Sequence, residues 1–119
     1  MTQTPLSLRN EKVDRSVRPL IVAVIVIAAM TALRIVYASL IDLRTDEAYY
    51  WTWSKEHVLS FLDHPPMIAW FISFGTAIFG DTNLGVRFAG IVAMAVTQLL
   101  LADIVRRVTH DIRAVVFAV

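Results

Sequence analysis

Two apolar runs, each long enough to cross a bilayer, constrain the fold of this chain more than any other feature. Residues 20–41 and 84–105 each comprise 22 positions, and Arg34 is the one charged residue of the first run. As α-helices they would extend about 33 Å, which exceeds the roughly 30 Å thickness of a bilayer's hydrocarbon core. The sequence therefore predicts two transmembrane helices.

Composition supports a membrane protein and excludes several other classes. Hydrophobic residues make up 57% of the 119 positions and charged residues 18%, against about 45–50% and about 25% in soluble domains. A soluble domain of this size has too small an interior to bury both runs. The net charge of +1 is not informative about nucleic acid, and the lack of a basic stripe interleaved with aromatics argues against nucleic-acid binding. The lack of cysteine excludes disulfides, thiolate metal sites and a cysteine nucleophile.

Charge bias predicts the topology of the chain. The short apolar run at 66–79 would form a helix of only about 21 Å, too short to span. If it lies on the membrane surface, the basic N-terminus and Arg106-Arg107 are both cytoplasmic, as the positive-inside rule prefers. The predicted segments are a cytoplasmic tail (1–18), a first span (19–41), an extracytoplasmic loop (42–83), a second span (84–105), a cytoplasmic loop (106–113) and the start of a truncated third span (114–119).

Two alternatives concern the first span. Arg34 lies in its second half, where the side chain would either snorkel to the interface or face a polar cavity. The same segment also has features of a signal peptide, in which case the mature protein would begin near Ser39. Arg34 and the apolar residues beyond the cleavage site argue against a signal peptide.

The predicted loop begins with a dense acidic and aromatic motif at residues 45–53. Thr45 is expected to cap a helix, on which Asp46 shares a face with three aromatic residues, namely Tyr49, Tyr50 and Trp53. Acids in a first helical turn complement the helix dipole, and such aromatics are common at membrane interfaces. The other interpretation is functional: the carboxylate is a general base, and the aromatic face stacks on a sugar or an isoprenoid chain.

A second polar cluster, Asp63-His64-Pro65-Pro66, precedes the short apolar run. Its simplest interpretation is a helix entry, because proline is tolerated in a first helical turn. His64 would alternatively donate to a phosphate or bind a metal. Asp81 and Arg87, further along, are of types common as helix caps or interfacial anchors.

Taken in order, the motifs resemble the N-terminal region of the GT-C glycosyltransferases. This superfamily includes the protein O-mannosyltransferases, the aminoarabinose transferases of lipid A and the rhizobial lipopolysaccharide-core galacturonosyltransferases. The resemblance covers residues 34–107 and rests on Asp-Glu-Ala-Tyr-Tyr-Trp at 46–51, on residues 63–70, and on Gly-Val-Arg at 85–87, preceded by Phe-Gly-Asp-Thr at 79–82.

The resemblance implies an all-α membrane fold whose first extracytoplasmic loop contains juxtamembrane helices. It also implies that Asp46 is the catalytic base and that Glu47 supports it. Substrate binding is expected of Tyr49, Tyr50, Trp51, Asp63, His64 and Arg87. No cofactor is assigned with certainty, and a divalent metal is left open.

The expected function is transfer of a sugar from a polyprenyl-phosphate donor to a lipid, glycan or protein acceptor. The expected location is the bacterial inner membrane, in a multi-pass protein with a cytoplasmic N-terminus. Because such enzymes have many spans, the chain is expected to be one piece of a longer enzyme. The alternatives are a small non-catalytic membrane subunit and an inactive truncated product.

Overall fold

The fold is helical, as predicted. The computed structural model describes residues 5–56, 58–61, 65–109 and 111–119, and within these ranges it contains five α-helices and no strand. In chain order they are α1 (Pro5–Leu40), α2 (Thr45–Trp53), α3 (Met67–Phe79), α4 (Asn83–Thr109) and α5 (Ile112–Phe117).

The two long helices contain the two predicted spans. Leu20–Leu40 of α1 has a mean hydropathy of 2.5, and Asn83–Thr109, the whole of α4, has 2.0. Only 11% of the most apolar part of each is buried within the chain, so neither is a core helix of a soluble protein. Their exposed apolar side chains require hydrocarbon or other protein around them.

The shorter helices differ from the sequence-based expectations in detail. Helix α3 has 13 residues, or about 20 Å, which confirms a short apolar helix between the long ones. Helix α2 begins one residue earlier than expected: its N-cap is Arg44, so the prediction that Thr45 caps it was wrong. The Glu47 carboxylate accepts a hydrogen bond from the backbone N–H of the N-cap residue Arg44 at 2.9 Å.

Residues 31–94 form one compact unit, in which α3 and α4 approach closely through glycine. A Cβ added to Gly75 of α3 would fall on the carbonyl oxygen of Gly85 in α4, and one added to Gly85 would fall on the carbonyl oxygen of Gly80. Gly80 itself, at φ 70°, ends α3 in a conformation that favours glycine. These glycines permit the tight turn between the two helices.

Residues 1–30 and 95–119 form the other compact unit. Its core contains Ala23, Ala102 and Val115, all fully buried. At the start of α5 the Asp111 side chain accepts a hydrogen bond from the Arg113 backbone N–H at 2.9 Å.

Candidate functional site

Helix α2 presents the predicted aromatic face. The ring centroids of Tyr49 and Trp53 are 4.6 Å apart, and those of Tyr50 and Trp53 are 5.3 Å apart. Beyond the helix, Phe61 stacks on Trp53 with 4.7 Å between centroids and 8° between planes. Such ring contacts form one aromatic cluster, which stabilises the helix and holds the segment after it against Trp53.

Asp46, the predicted base, lies in the first turn of α2 with its side chain exposed. It forms no hydrogen bond or ion pair with any residue that the structure describes. Glu47, its neighbour, is engaged instead. The Arg87 Nε donates to Glu47 Oε1 at 2.7 Å and the Nη2 to Oε2 at 2.6 Å, which makes a bidentate pair.

Arg87 uses its whole guanidinium group within the chain. Besides the two bonds to Glu47, Nη1 donates to the carbonyl oxygens of Ala38 (3.2 Å) and Ile41 (2.7 Å), and Nη2 donates to that of Asp42 (3.0 Å). A guanidinium has five N–H donors, so all five are satisfied. Arg87 of α4 thus joins the C-terminal end of α1 to the first turn of α2.

The charge of Arg87 also acts on Glu47. Its hydrogen bond holds the pKa of the Glu47 carboxyl below its ordinary value, against the opposing effect of burial, and the backbone N–H of Arg44 lowers it further. Glu47 is therefore ionised at neutral pH. A carboxylate that is ionised and fully engaged suits an orienting role better than that of a proton acceptor.

Asp81, in the turn between α3 and α4, contacts α2 and the residues just beyond it. Asp81 accepts hydrogen bonds from Lys55 Nζ and, at 3.0 Å, from Trp51 Nε1, and the Lys55 ammonium lies 4.9 Å from the Trp51 ring centroid. The Lys55 hydrogen bond, followed by that of Trp51, lowers the pKa of the Asp81 carboxyl. Trp51 is thereby fixed by its indole N–H as well as by its ring.

A cleft of about 740 Å³ opens beside these contacts, inside the 31–94 unit. Its walls are mostly apolar and come from the C-terminal half of α1, from α2 and α3, and from the N-terminal half of α4. The lining residues are Leu33, Arg34, Tyr37, Ala38, Glu47, Tyr50, Ile68, Phe71, Ile72, Val86, Arg87, Gly90, Ile91 and Met94. A mostly apolar cleft with a few convergent polar groups is typical of a ligand site.

The cleft brings together some of the predicted site residues. Glu47, Tyr50 and Arg87 line it, whereas Asp46, Tyr49 and Trp51 do not. The predicted contributions of Asp63 and His64 lie outside the described residues. Within the described part of the chain, no three acidic or histidine side chains are grouped as a metal site would require.

Three polar residues of this region had no site role in the sequence-based expectations. Arg34 lines the cleft, which favours the cavity-facing alternative over simple snorkelling. The sequence did contain a signal for Arg34, namely a cation inside an apolar run. Lys55 and Asp81 pair over 26 positions, a separation for which the sequence offers no periodic signal.

Part of this chain is similar to a family of membrane glycosyltransferases, which agrees with the resemblance of its motifs. Residues 63–119 match the family model described as dolichyl-phosphate-mannose-protein mannosyltransferase. The matched residues include α3, α4 and the Asp81 turn, but not the Asp46-Glu47 motif. No solved structure gives a significant match.

Individual relatives agree with the family match. The chain is 36% identical over 73 residues to the lipid A galacturonosyltransferase RgtD of Rhizobium johnstonii, covering 60% of this chain and 15% of the relative. It is 36% identical over 63 residues to the undecaprenyl phosphate-alpha-4-amino-4-deoxy-L-arabinose arabinosyl transferases of Pseudomonas paraeruginosa and Pseudomonas aeruginosa, covering 51% of this chain and 12% of each relative. The match thus spans at most 15% of the length of these relatives.

Proposed function

We propose that this chain is the N-terminal part of an integral membrane glycosyltransferase that moves a sugar from a polyprenyl-phosphate donor to an extracytoplasmic acceptor. The observation that carries the proposal is the similarity to relatives that are named as lipid A galacturonosyl and undecaprenyl-phosphate aminoarabinosyl transferases. The acceptor class that these names favour is lipid A or the lipopolysaccharide core, with protein as the family-level alternative.

Asp46 is the candidate general base. An acceptor hydroxyl that attacks an anomeric carbon must lose a proton, and a carboxylate within hydrogen-bond reach can accept it. The exposure of Asp46 supports this role, since its oxygens are not occupied by any described residue. Glu47 and Arg87 would hold the first turn of α2 in place, so that Asp46 meets the acceptor in one orientation.

The aromatic residues of α2, together with Asp63 and His64, would complete the substrate site. Tyr50 lines the cleft and is placed to contact a donor lying in it, while Tyr49 and Trp51 offer faces for a sugar ring. Asp63 and His64 would contact the donor phosphate. Arg87, whose five donors are occupied, would contribute to binding by shaping the cleft wall.

The proposed location is the bacterial inner membrane, in a multi-pass protein whose N-terminus is cytoplasmic. Alkaline phosphatase fused after Asn83 should be active, because the phosphatase folds only outside the cytoplasm. A phosphatase fusion after Arg107 should be inactive. The length of α3 and the basic end of α4, Arg106-Arg107, support this arrangement. Activity after Arg107 together with inactivity after Asn83 would invert the topology and overturn the proposal.

The test of function uses the gene product that contains these residues, purified into lipid nanodiscs with a radiolabelled undecaprenyl-phosphate sugar and lipid A. Asp46→Asn should reduce transfer by at least about a hundredfold, since general acid–base catalysis contributes roughly 10²–10⁴-fold. Glu56→Gln is the matched control, because Glu56 is an exposed acid just beyond the same helix, and it should retain full transfer. Parallel reactions with EDTA decide the metal requirement.

Each outcome of that assay has a clear meaning. Loss of transfer in Asp46→Asn alone supports the general base. Full transfer by the Asp46→Asn protein would show that Asp46 is only an acid at a helix terminus and not the general base. No transfer by the unsubstituted protein with any donor would favour the non-catalytic membrane subunit, for which the aromatic residues are only an interfacial belt.

A further inference from the structure

A second, smaller cavity lies where the end of α2 meets α3 and the turn after it, and it shares no lining residue with the larger cleft. Its volume is about 320 Å³, at the lower end of the range for ligand pockets. We call it the hydroxyl pocket. The described polar residues that line it are Ser54, Lys55, Ser73, Thr76 and Asp81.

The hydroxyl groups of this pocket have already used their protons within the chain. Ser54 Oγ donates to the Trp51 carbonyl oxygen and Ser73 Oγ to the Ser54 carbonyl oxygen, each at 2.6 Å. Thr76 Oγ1 donates to the Ile72 carbonyl oxygen at 2.9 Å. A hydroxyl group has one proton and two lone pairs. These three oxygens can therefore accept hydrogen bonds from a ligand, whereas they have no proton left to donate to it.

The ion pair of the pocket leaves further hydrogen-bonding capacity for a ligand. Asp81 accepts from both Trp51 and Lys55 on the same oxygen, Oδ1, and no described residue donates to its Oδ2. Lys55 has three N–H groups, gives one to Asp81, and is 46% exposed. Because the two charges cancel, the described lining of the pocket has no net charge.

The complement of this lining is an uncharged molecule with several O–H donors. An anion would meet the Asp81 carboxylate and the lone pairs of the three hydroxyl groups, and a cation would meet the Lys55 ammonium. A sugar ring avoids both repulsions, because each of its hydroxyl groups can donate to an oxygen of the pocket or accept from Lys55. A volume at the lower limit for ligands suits a single sugar residue.

The pocket is distant from the candidate general base. Ser54 follows Asp46 by eight positions along α2 and its C-cap, which corresponds to about 12 Å of helix rise. Proton transfer requires an approach within hydrogen-bond distance, about 3 Å. A sugar residue bound in the pocket is therefore not the one whose hydroxyl group would lose its proton to Asp46.

We infer that the hydroxyl pocket binds an uncharged sugar residue of the acceptor, next to the sugar residue that receives the transferred group. The inference rests on the proposed function for the presence of a sugar-bearing acceptor, and it adds a recognition site outside the larger cleft. Asp81, Ser54 and Thr76 provide the accepting oxygens and Lys55 the donor. An acceptor with two sugar residues should then bind more tightly than an acceptor with one.

The experiment measures acceptor binding rather than transfer. The gene product in nanodiscs is titrated with two synthetic phosphate-free glycolipids, whose headgroups have one and two sugar residues, and complexes are counted by native mass spectrometry. Thr76→Val replaces the hydroxyl with a methyl group and should weaken binding of the two-sugar lipid roughly two- to tenfold, as expected for one lost hydrogen bond. Asp81→Asn should weaken it more, because a hydrogen bond to a carboxylate is charge-assisted.

Thr52→Val is the matched control. The Thr52 hydroxyl donates to the Tyr49 carbonyl oxygen at 2.7 Å, in the same way as that of Thr76, but it lies outside the pocket lining, so this variant should bind both lipids normally. The one-sugar lipid should bind equally to all variants. An equal loss of both lipids in Thr76→Val, or equal affinity of the unsubstituted protein for both, would overturn the inference. So would Thr76-dependent binding of a phosphorylated two-sugar lipid alone, because the pocket would then recognise phosphate.

Acceptor binding and catalysis can fail separately. Asp46→Asn should bind the two-sugar lipid normally even where it abolishes transfer. Unchanged binding in both Thr76→Val and Asp81→Asn, with transfer intact in the unsubstituted protein, would reject the inference and leave the proposed function standing. Thr76-dependent binding of the phosphate-free two-sugar lipid in a protein without transfer activity would reject the proposed function and retain the sugar-binding pocket.

Discussion

Each of the two compact units of this chain is stabilised internally by a different kind of contact. In residues 31–94, side chains join positions far apart in sequence, as Arg87 does to Glu47 across 40 positions and Trp51 to Asp81 across 30. In the unit of residues 1–30 and 95–119, the ion pairs of Asp103 with Arg106 and Arg107 lie within one helical turn of α4, over an apolar core. Long-range side-chain contacts thus order the region between the long helices in the first unit, whereas in the second unit the ion pairs are local and one long-range hydrogen bond, from Gln98 Nε2 to the Val119 carbonyl oxygen, adds to the apolar core.

The strongest test of this contrast is removal of the Arg87 guanidinium. Arg87→Gln should destabilise the 31–94 unit by about 3 kcal/mol, because it leaves a carboxylate and three carbonyl oxygens without their donor. That value is at the lower end for a buried pair, since the Glu47 side chain is 32% exposed. Amide hydrogen exchange should show that the substitution speeds exchange in α2 more than in α5, each compared with the same helix of the unsubstituted protein.

Arg107→Gln is the matched control on the same helix. Its side chain is 70% exposed and pairs only over one turn, so exchange should be unchanged throughout both units. Equal effects of the two substitutions would mean that the long-range contacts of the loop contribute no more than a surface pair, and the contrast would be lost.

Sequence reasoning found the elements of the fold because hydropathy and length decide them. Two runs of 22 apolar residues predicted α1 and α4, and a shorter run predicted α3. The aromatic face of α2 followed from helical periodicity, and ring contacts between Tyr49, Tyr50 and Trp53 confirm it. These are local properties, readable within one or two turns.

The arrangement of the site was less predictable because it depends on separations that no local pattern encodes. Arg87 was expected to bind substrate, and that role stays a prediction, but its role as a brace between α1 and α2 was missed. The cleft itself arises only when four helices pack. The Arg44 cap was missed because Thr45 has the stronger capping preference, which the Glu47 side chain overrides here.

The helix approach in the 31–94 unit offers a second test. Gly75→Ala should lower stability by roughly 1–3 kcal/mol, because its methyl group has no space beside Gly85 and α3 must move from α4. Gly90→Ala, in α4 with no atom within 4 Å of the added carbon, should be neutral or slightly stabilising. Thermal unfolding followed by circular dichroism in detergent measures both. A Gly75→Ala protein as stable as Gly90→Ala would contradict close packing here.

Acid should weaken the 31–94 unit through Glu47. The pKa of Glu47 is lower in the folded protein than its ordinary value of 4.5, so the unfolded chain binds the proton more readily. The stabilisation is therefore present above pH 4.5 and is lost as the pH falls through the folded value. The loss should be smaller than in Arg87→Gln, because a protonated Glu47 can still accept from Arg87.

The measurement compares the unsubstituted protein with Glu47→Gln, since other carboxyl groups titrate in the same range. Their difference in stability should shrink as the pH falls below 4.5. A difference that stays constant, or grows in acid, would show that the ionised form of Glu47 is not the stabilising one.

The smallest effect is expected from the other unit. Asp103→Asn breaks ion pairs with Arg106 and Arg107 that lie on one helix and are partly open to solvent. Such pairs contribute little, so unfolding and regional exchange should both stay within error of the unsubstituted protein. A marked loss of stability in this variant would show that polar contacts matter equally in the two units.

The brace made by Arg87 has a consequence for the order in which the protein is made. The first turn of α2 is synthesised 40 residues before Arg87, and Ala38 near the end of α1 is synthesised 49 residues before it. Until α4 has begun to insert, the carbonyl oxygens of Ala38, Ile41 and Asp42 have only water as a partner at the end of the first span. Packing of α4 and ordering of the first turn of α2 are therefore coupled, because the contacts of the Arg87 guanidinium form only when both are in place.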